Sequence, residues 1–167
     1  GGRSCVISQT GFSGEAGFEI YLRDATLYAD DMWDAVLEAG KKHNLMVIAP
    51  AHHRRIQAGI LSWGQDLDHE HNPFQCNLGY QVSLSGKGEW EKKADYIGKD
   101  ALEKMKAELA DVKKPYKLQL VGFELGGKPI DEYAPDFWLV SPEDGGDPCG
   151  FITSPWYHPE KGKNIAM

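Results

Sequence analysis

The stretch TGFSGEAGFEIYL, residues 10–22, begins as a glycine loop and ends as a β-strand. Side chains of successive strand residues point to opposite faces, so Glu19 and Tyr21 project from the same face. The apolar residues between and around them share the other face: Phe18, Ile20 and Leu22. The stretch therefore predicts a turn that delivers the chain into a strand with one apolar and one polar face.

The three glycines of this loop, Gly11, Gly14 and Gly17, raise the question of a phosphate site. A dinucleotide fingerprint has the spacing GxGxxG and lies between a strand and a helix, whose N-terminus meets the pyrophosphate. Here the spacing is GxxGxxG, and a strand follows the loop. The pattern disfavours phosphate binding and predicts turn glycines, some of them with a positive φ.

Two interpretations of Glu19 and Tyr21 stay open at this point. The pair is compatible with the solvent-facing side of a half-exposed antiparallel strand. It is also compatible with ligand binding, because a carboxylate offers two adjacent acceptors to a ligand edge with two adjacent donors. The 2-amino and N3–H edge of a pterin is such an edge, and Tyr21 would then lie against the ring or close the pocket wall.

The composition is that of a soluble globular protein of 167 residues, with a formal charge of −7. An acidic balance argues against a nucleic-acid or membrane-surface partner, which requires clustered Lys and Arg. No apolar stretch approaches the roughly 20 residues of a membrane span. The three cysteines form no CxxC pair, which is typical of reduced thiols in a cytoplasmic protein.

Other site chemistries find weaker support. A histidine-rich set invites a metal hypothesis: His52, His53, His69, Glu70 and His71, with Cys76 nearby. However, the set lacks an HExxH motif, and adjacent histidines point apart on a helix, so we expect no metal site. Ser13 lies in GFSGE and not in GxSxG, so the chain has no nucleophile elbow.

The periodicity along the chain predicts an α+β portion over residues 1–85 and a β-rich portion over residues 95–167. In the second portion, evenly spaced short strands favour an antiparallel sandwich or a partial, jelly-roll-like barrel. The predicted helices are residues 27–43, 51–63 and 98–114. The predicted strands are residues 5–8, 18–23, 79–84, 116–125, 137–141 and 149–154.

Five segments, in order, resemble motifs of the folate-dependent aminomethyltransferase family, that of the T-protein of the glycine cleavage system. They are TGFSGEAGFEIYL, RRIQAGILSWGQDLD, NPFQCNLGYQV, YIGKDAL and SPWYHPEKGKNIAM. The matching family patterns are TGYTGExGxE, RLEAGLxLYGxD, a Pro-containing run ending in a Leu-Gly strand, FIGrxAL and SPxxxxNIAM. GFEIYL, Asn72 to Cys76 and HHRRIQAGILSWGQDLD are more similar to the dimethylsulfoniopropionate demethylase branch.

The resemblance implies a tetrahydrofolate site in which Glu19 binds the pterin, with Tyr21 and Arg55 beside it. The position of a ligand-binding arginine of glycine-cleavage enzymes falls on Ala51, which argues against that reaction, although the neighbouring Arg54 is a conceivable substitute. The implied function is transfer of a one-carbon unit from a small S- or N-methylated, or aminomethyl, substrate to tetrahydrofolate.

The resemblance also predicts that this chain is the C-terminal part of a longer enzyme. GGRSCVIS has no start methionine, and KGKNIAM stops within an apolar run. The family's catalytic aspartate is expected upstream, so we expect no catalytic residue in this chain and no activity from it alone. Two alternatives stay open: a non-catalytic folate-binding protein of the same fold, and the folate-binding half of a sarcosine or dimethylglycine dehydrogenase. A homo-oligomer is also compatible with the sequence.

Overall fold

The computed structural model of the chain describes residues 2–84, 95–110, 118–133 and 137–167. The chain divides into two compact units, Gly1–Ile60 and Leu61–Met167. The described elements mix helices with small antiparallel sheets, which confirms the α+β class. The predicted boundary near residues 85–95 falls mostly outside the described residues and stays a prediction, as does the jelly-roll-like barrel.

The first unit begins with an antiparallel hairpin of β1 (Cys5–Ser8) and β2 (Glu19–Leu22). Its register places Val6 opposite Tyr21 and Ser8 opposite Glu19. Because residues opposite each other in an antiparallel pair share a face, these four side chains form one face of the hairpin. Both strands were predicted, β1 from a short apolar run and β2 from the alternation of apolar and polar residues.

Helix α1 (Ala25–Gly40) follows, and a 3₁₀ turn, Lys41–His43, extends it to the predicted end. Asn44 then adopts a left-handed conformation with φ 55°. The amide of Leu45 donates to the Gly40 carbonyl at 3.1 Å, and the amide of Asn44 donates to the Lys41 carbonyl at 3.2 Å. This pair of bonds is the Schellman arrangement that satisfies carbonyls at the end of a helix.

Helix α2 (His52–Gln57) is shorter than the predicted residues 51–63. Gly59 has φ 70°, and its amide donates to the Ile56 carbonyl while the Ile60 amide donates to the Arg55 carbonyl. These are again the bonds of a Schellman stop. The AGI sequence therefore ends the helix, and the apolar residues after it are not helical.

The second unit contains helix α3 (Lys99–Ala110) and five short strands. Residues 111–114 of the predicted third helix lie outside the described residues. The predicted strand at residues 79–84 is wrong, because the chain forms a 3₁₀ turn at Gly79–Gln81. The close approach of Gly79 to the Phe74 ring, where a Cβ would lie 2.8 Å from the ring, accompanies this turn.

The strands of the second unit form two antiparallel sheets. One sheet has three strands in the order β3 (Phe123–Leu125), β7 (Lys163–Ala166) and β6 (Trp156–His158). The other pairs β4 (Trp138–Val140) with β5 (Gly150–Ile152). Of the predicted strand at residues 116–125, only the end is a strand, and residues 116–117 lie outside the described residues.

The core of the second unit is built around the C-terminal strand and the loop that begins at residue 72. Its buried apolar side chains are Phe74, Cys76, Ile152, Ile165, Ala166 and Met167. Asn164 is buried among them, and its amide group donates to the carbonyls of Gly126 and Lys128 and accepts from the Ile130 amide. One side chain thus satisfies three backbone groups of a turn that would otherwise be unpaired.

Candidate functional site

The glycine loop packs against helix α2 and its C-terminal stop. Gly14 has φ 75°, and a Cβ there would overlap the Cβ of Ala58. The Arg54 guanidinium forms an exposed ion pair with Glu15 at 3.5 Å, and the Arg55 Cζ lies 5.7 Å from the Phe12 ring centroid. The positive φ at Gly14 confirms the interpretation of a turn glycine.

Glu19 and Tyr21 lie on the same face of β2, as the strand period predicted. The Tyr21 hydroxyl donates to Glu19 Oε2 at 3.2 Å. Thr10, two residues after the end of β1, donates its hydroxyl to the same Oε2. The Thr10 hydroxyl also lies 3.0 Å from Ser8 Oγ, so the carboxylate is oriented from both sides.

These hydrogen bonds leave the two carboxylate oxygens of Glu19 unlike each other. Both bonds converge on Oε2, and Oε1 accepts no hydrogen bond from any residue that the structure describes. Glu19 is half-buried, and Tyr21 beside it is exposed. Oε1 is therefore an acceptor without a described partner, on a carboxylate whose other oxygen is held by two hydroxyls.

Arg55 has a different environment from the pair on β2. Its side chain is only 1% exposed, and Nη1 donates to the Ile60 carbonyl at 3.1 Å. Burial and the Arg55 charge lower the pKa of the adjacent His52. A buried guanidinium bonded to the helix stop stabilises the end of α2, and its predicted contact with a cofactor stays a prediction.

Two contacts of this site were not predicted from the sequence. Thr10 was not recognised as a partner of Glu19, since that contact depends on the register of the hairpin, which pairs Ser8 with Glu19. The sequence signal that could have indicated this contact is the hydroxyl of Thr10, two positions after Ser8. The ion pair of Arg54 with Glu15 was also not predicted. It engages the same arginine that the sequence suggested as a substitute for the one absent at Ala51.

The histidine-rich segment of the second unit makes local turn contacts. The Asp68 carboxylate accepts from the Glu70 amide at 2.8 Å and lies 2.7 Å from His71 Nδ1. These bonds, the backbone one first, lower the pKa of Asp68. Within the described ranges, no group of three or more His, Cys, Asp or Glu side chains is arranged to hold a metal ion.

Asp66 joins two distant segments of the second unit. Its Oδ1 accepts from the hydroxyls of Thr153 and Ser154, each at 2.5 Å, and its Oδ2 accepts from the Ser62 amide at 2.8 Å. Gln65 adds a bond from its side-chain amide to the Thr153 carbonyl at 2.8 Å. The GQDLD segment is thereby tied to the SPW segment, which sequence motifs alone did not indicate.

A cavity of about 160 Å³ lies in the second unit beside this network. Its lining combines polar groups, including Asp66 and Cys76, with apolar side chains such as Phe123 and Phe151. Burial, followed by the charges of Asp68 and Asp66, raises the pKa of the Cys76 thiol. None of the three predicted folate-binding residues belongs to this unit.

Comparison with known proteins identifies the class. Residues 1–86 match the model of the GCVT N-terminal domain, which is more than half of the chain, so the chain belongs to that family. It is similar to the aminomethyltransferases of Caldanaerobacter subterraneus subsp. tengcongensis, at 31% identity, of Clostridium botulinum strain Loch Maree, at 34%, and of Geobacillus sp. strain WCH70, at 32%. Each match covers 99% of this chain.

These matches cover only 40% or 41% of the relatives' own length. They confirm the aminomethyltransferase family that the five motifs indicated. The described part of the chain has no helix that is both long enough and apolar enough to cross a membrane.

Proposed function

We propose that this chain is the part of a tetrahydrofolate-dependent one-carbon transferase that anchors the pterin. The observation that carries the proposal is the carboxylate of Glu19, which Thr10 and Tyr21 orient through Oε2. The family supports the class of reaction, because the relatives are aminomethyltransferases.

The chemistry of Glu19 fits a pterin edge. Oε1 is available to one ring donor, and a second donor would reach Oε2 by replacing Thr10 or Tyr21 as a partner. Thr10 has Ser8 Oγ within reach at 3.0 Å, so its hydroxyl has another acceptor when displaced. Hydrogen bonds that involve an ionised group are about twice as strong as neutral ones, which favours a carboxylate at this position.

The remaining residues of the first unit would have supporting roles. Tyr21, exposed on the same strand face, offers an aromatic surface beside the acceptor. Arg55 would act indirectly, by fixing the end of α2, against which the glycine loop packs. Tetrahydrofolate supplies the acceptor atom N5 for the one-carbon unit, and the protein's contribution is to hold the two reactants in a reactive orientation.

Within this class, we propose a small S- or N-methylated donor and the demethylase branch. Ala51 occupies the position at which glycine-cleavage enzymes carry a ligand-binding arginine. The neighbouring Arg54 already forms an ion pair with Glu15. The cytoplasmic location, the small-molecule partners and the oligomeric state stay predictions.

The test is isothermal titration of tetrahydrofolate into the full-length protein and two variants. Glu19→Gln keeps the size of the side chain but removes the charge, and we expect affinity to fall about 10- to 100-fold, which corresponds to one charge-assisted hydrogen bond of about 1.5–3 kcal/mol. Glu15→Gln is the matched control, since Glu15 lies in the same loop but pairs with Arg54. Equal affinity of all three proteins would reject the assignment.

A further inference from the structure

Two hydroxyl groups converge on one oxygen of Glu19. Thr10 and Tyr21 both donate to Oε2, whereas Oε1 accepts from no residue that the structure describes. A carboxylate has about four acceptor sites, two on each oxygen, so these two bonds fill Oε2. A ligand with two adjacent donors can therefore use Oε1 directly, but it reaches Oε2 only when one of the hydroxyls leaves.

The bond from Tyr21 is the more easily broken of the two. Its hydroxyl lies 3.2 Å from Oε2, which is long, because hydrogen bonds from a hydroxyl to a charged oxygen are typically about 2.5–2.7 Å. Tyr21 is also 55% exposed. Its hydroxyl can thus exchange the carboxylate for water at little cost in free energy.

Thr10 is held more firmly, because a second hydroxyl lies behind it. Ser8 Oγ is 3.0 Å from Thr10 Oγ1, and the register of the hairpin pairs Ser8 with Glu19. A hydroxyl has one donor and two acceptor lone pairs, so Ser8 can donate to Thr10 while Thr10 donates to Oε2. Hydrogen bonds in such a chain strengthen one another. Displacement of Thr10 would break this chain, whereas displacement of Tyr21 leaves it intact.

Tyr21 also lies where it meets any ligand of Glu19. The two residues are two positions apart on β2 and therefore share one face of the strand. Since the Tyr21 hydroxyl reaches Oε2, its oxygen occupies the place that a second ligand donor would take. Once this hydroxyl has left, the ring remains on the same face as an aromatic surface for the ligand.

We propose that Tyr21 is the displaceable partner of Glu19 and that Thr10 is the positioning residue of the site. On binding, one donor of the pterin edge bonds to Oε1, and the second replaces the Tyr21 hydroxyl at Oε2. Thr10 keeps its bond and holds the carboxylate in the orientation that receives both donors. This inference rests on the proposed function of Glu19 and adds which of its two partners gives way to the ligand.

The proposal predicts opposite effects for two changes that each remove one hydroxyl. Tyr21→Phe removes the competing donor and keeps the ring, so tetrahydrofolate should bind at least about twofold more tightly. Thr10→Val keeps the shape of the side chain but releases the carboxylate, so binding should weaken about three- to tenfold, as the loss of one hydrogen bond requires. Thr10→Ser restores the hydroxyl and should bind within about twofold of the wild type.

The experiment is isothermal titration of tetrahydrofolate, and of its analogue without the 2-amino group, into the protein and these variants. Thr26→Val and Tyr28→Phe make the same two chemical changes elsewhere in the first unit, and as controls they should leave both affinities unchanged. The ratio of the two affinities distinguishes positioning from a structural role, because a structural defect weakens both ligands equally. Thr10→Val should lower this ratio about threefold or more, and Thr10→Ser should keep the wild-type ratio.

Tighter binding by Tyr21→Phe together with a lowered ratio in Thr10→Val would support the inference. Equal or weaker binding by Tyr21→Phe, or an unchanged ratio in Thr10→Val, would overturn it, even where Glu19→Gln weakens binding and the proposed function stands. If the wild type does not bind tetrahydrofolate, or if Glu19→Gln binds it as the wild type does, the proposed function itself is wrong and this inference falls with it.

Discussion

Removal of the Asp66 carboxylate is expected to destabilise the second unit substantially. Asp66 is 5% exposed and accepts hydrogen bonds from the Ser62 amide and from the hydroxyls of Thr153 and Ser154. In Asp66→Ala these donors lose their acceptor inside the protein. The Thr153 hydroxyl lies 3.1 Å from the Met167 carbonyl and can turn to it, whereas the Ser62 amide and the Ser154 hydroxyl lose the Asp66 oxygens that they bond.

The loss of its acceptor costs a buried donor about 1–3 kcal/mol, so with two such donors Asp66→Ala should lower the free energy of unfolding by about 2–6 kcal/mol. Asp66→Asn keeps one oxygen for the Ser62 amide, and the hydroxyls can accept from its amide group, so about 1–2 kcal/mol is expected. The order of the two variants, Ala below Asn below wild type, follows from this geometry.

The assay is urea-induced unfolding at pH 7, combined with hydrogen exchange at the Thr153 amide. That amide donates to the Met167 carbonyl at 2.8 Å and reports on the unit that contains Asp66. Asp147→Ala and Asp147→Asn, the same two changes at an exposed residue, are the controls and should have no measurable effect. If Asp66→Ala destabilised the unit no more than Asp147→Ala does, the network would not stabilise the fold.

Three further outcomes are expected. Gly14→Ala should lower the free energy of unfolding by about 2–4 kcal/mol, because Gly14 has a positive φ and an added Cβ would overlap Ala58. The control Gly11→Ala, which has open space around it, should lower the free energy of unfolding by less than about 0.5 kcal/mol. Thermal or urea unfolding measures both values. At pH 8 a thiol reagent should label exposed Cys149 well before buried Cys76, whose raised pKa keeps it a neutral thiol; equal rates would contradict this. The hydrogen bond from Lys163, followed by the charge of Lys163, lowers the pKa of Glu124. The stability that this ion pair contributes should therefore be present above the ordinary pKa of a glutamate and lost as pH falls through the lowered pKa. If an NMR titration in low salt found Glu124 titrating at the ordinary pKa of a glutamate, this prediction would be refuted.

Local sequence patterns predicted the first unit best. A short apolar run located β1, period-2 alternation located β2, and helical spacing located α1 through the turn at residue 43. Helix α2 was predicted too long, because apolar residues after Gly59 continue the pattern while the left-handed glycine ends the helix. Such a stop depends on one backbone conformation, which the apolar pattern does not reveal.

The second unit was less predictable because its strands are fixed by distant contacts. Strand β7 contains Lys163 and Asn164, so it lacks the apolar alternation that indicates a strand. Asn164 is there because its side chain satisfies the turn at residues 126–130. Contacts of this kind, like that of Asp66 with Thr153, join residues more than 30 positions apart and leave no local signal.

The candidate site shows the same division. That Glu19 and Tyr21 share a face follows from the strand period alone. The inequality of the two Glu19 oxygens does not, because it requires the hairpin register that brings Thr10 to Oε2. The position of Arg55 in the motif likewise did not predict that its side chain is buried.

The most direct test of the central claim compares the binding of tetrahydrofolate with that of an analogue that lacks the 2-amino group, for the protein with Glu19 and for its variant Glu19→Ala. If Glu19 reads the donor edge of the pterin, the wild type should bind the analogue about tenfold or more weakly, as one charge-assisted hydrogen bond requires. In Glu19→Ala the two ligands should bind with nearly equal affinity, because the acceptor that distinguishes them is gone. If both proteins distinguished tetrahydrofolate from the analogue to the same extent, a residue other than Glu19 would bind the 2-amino group of the pterin.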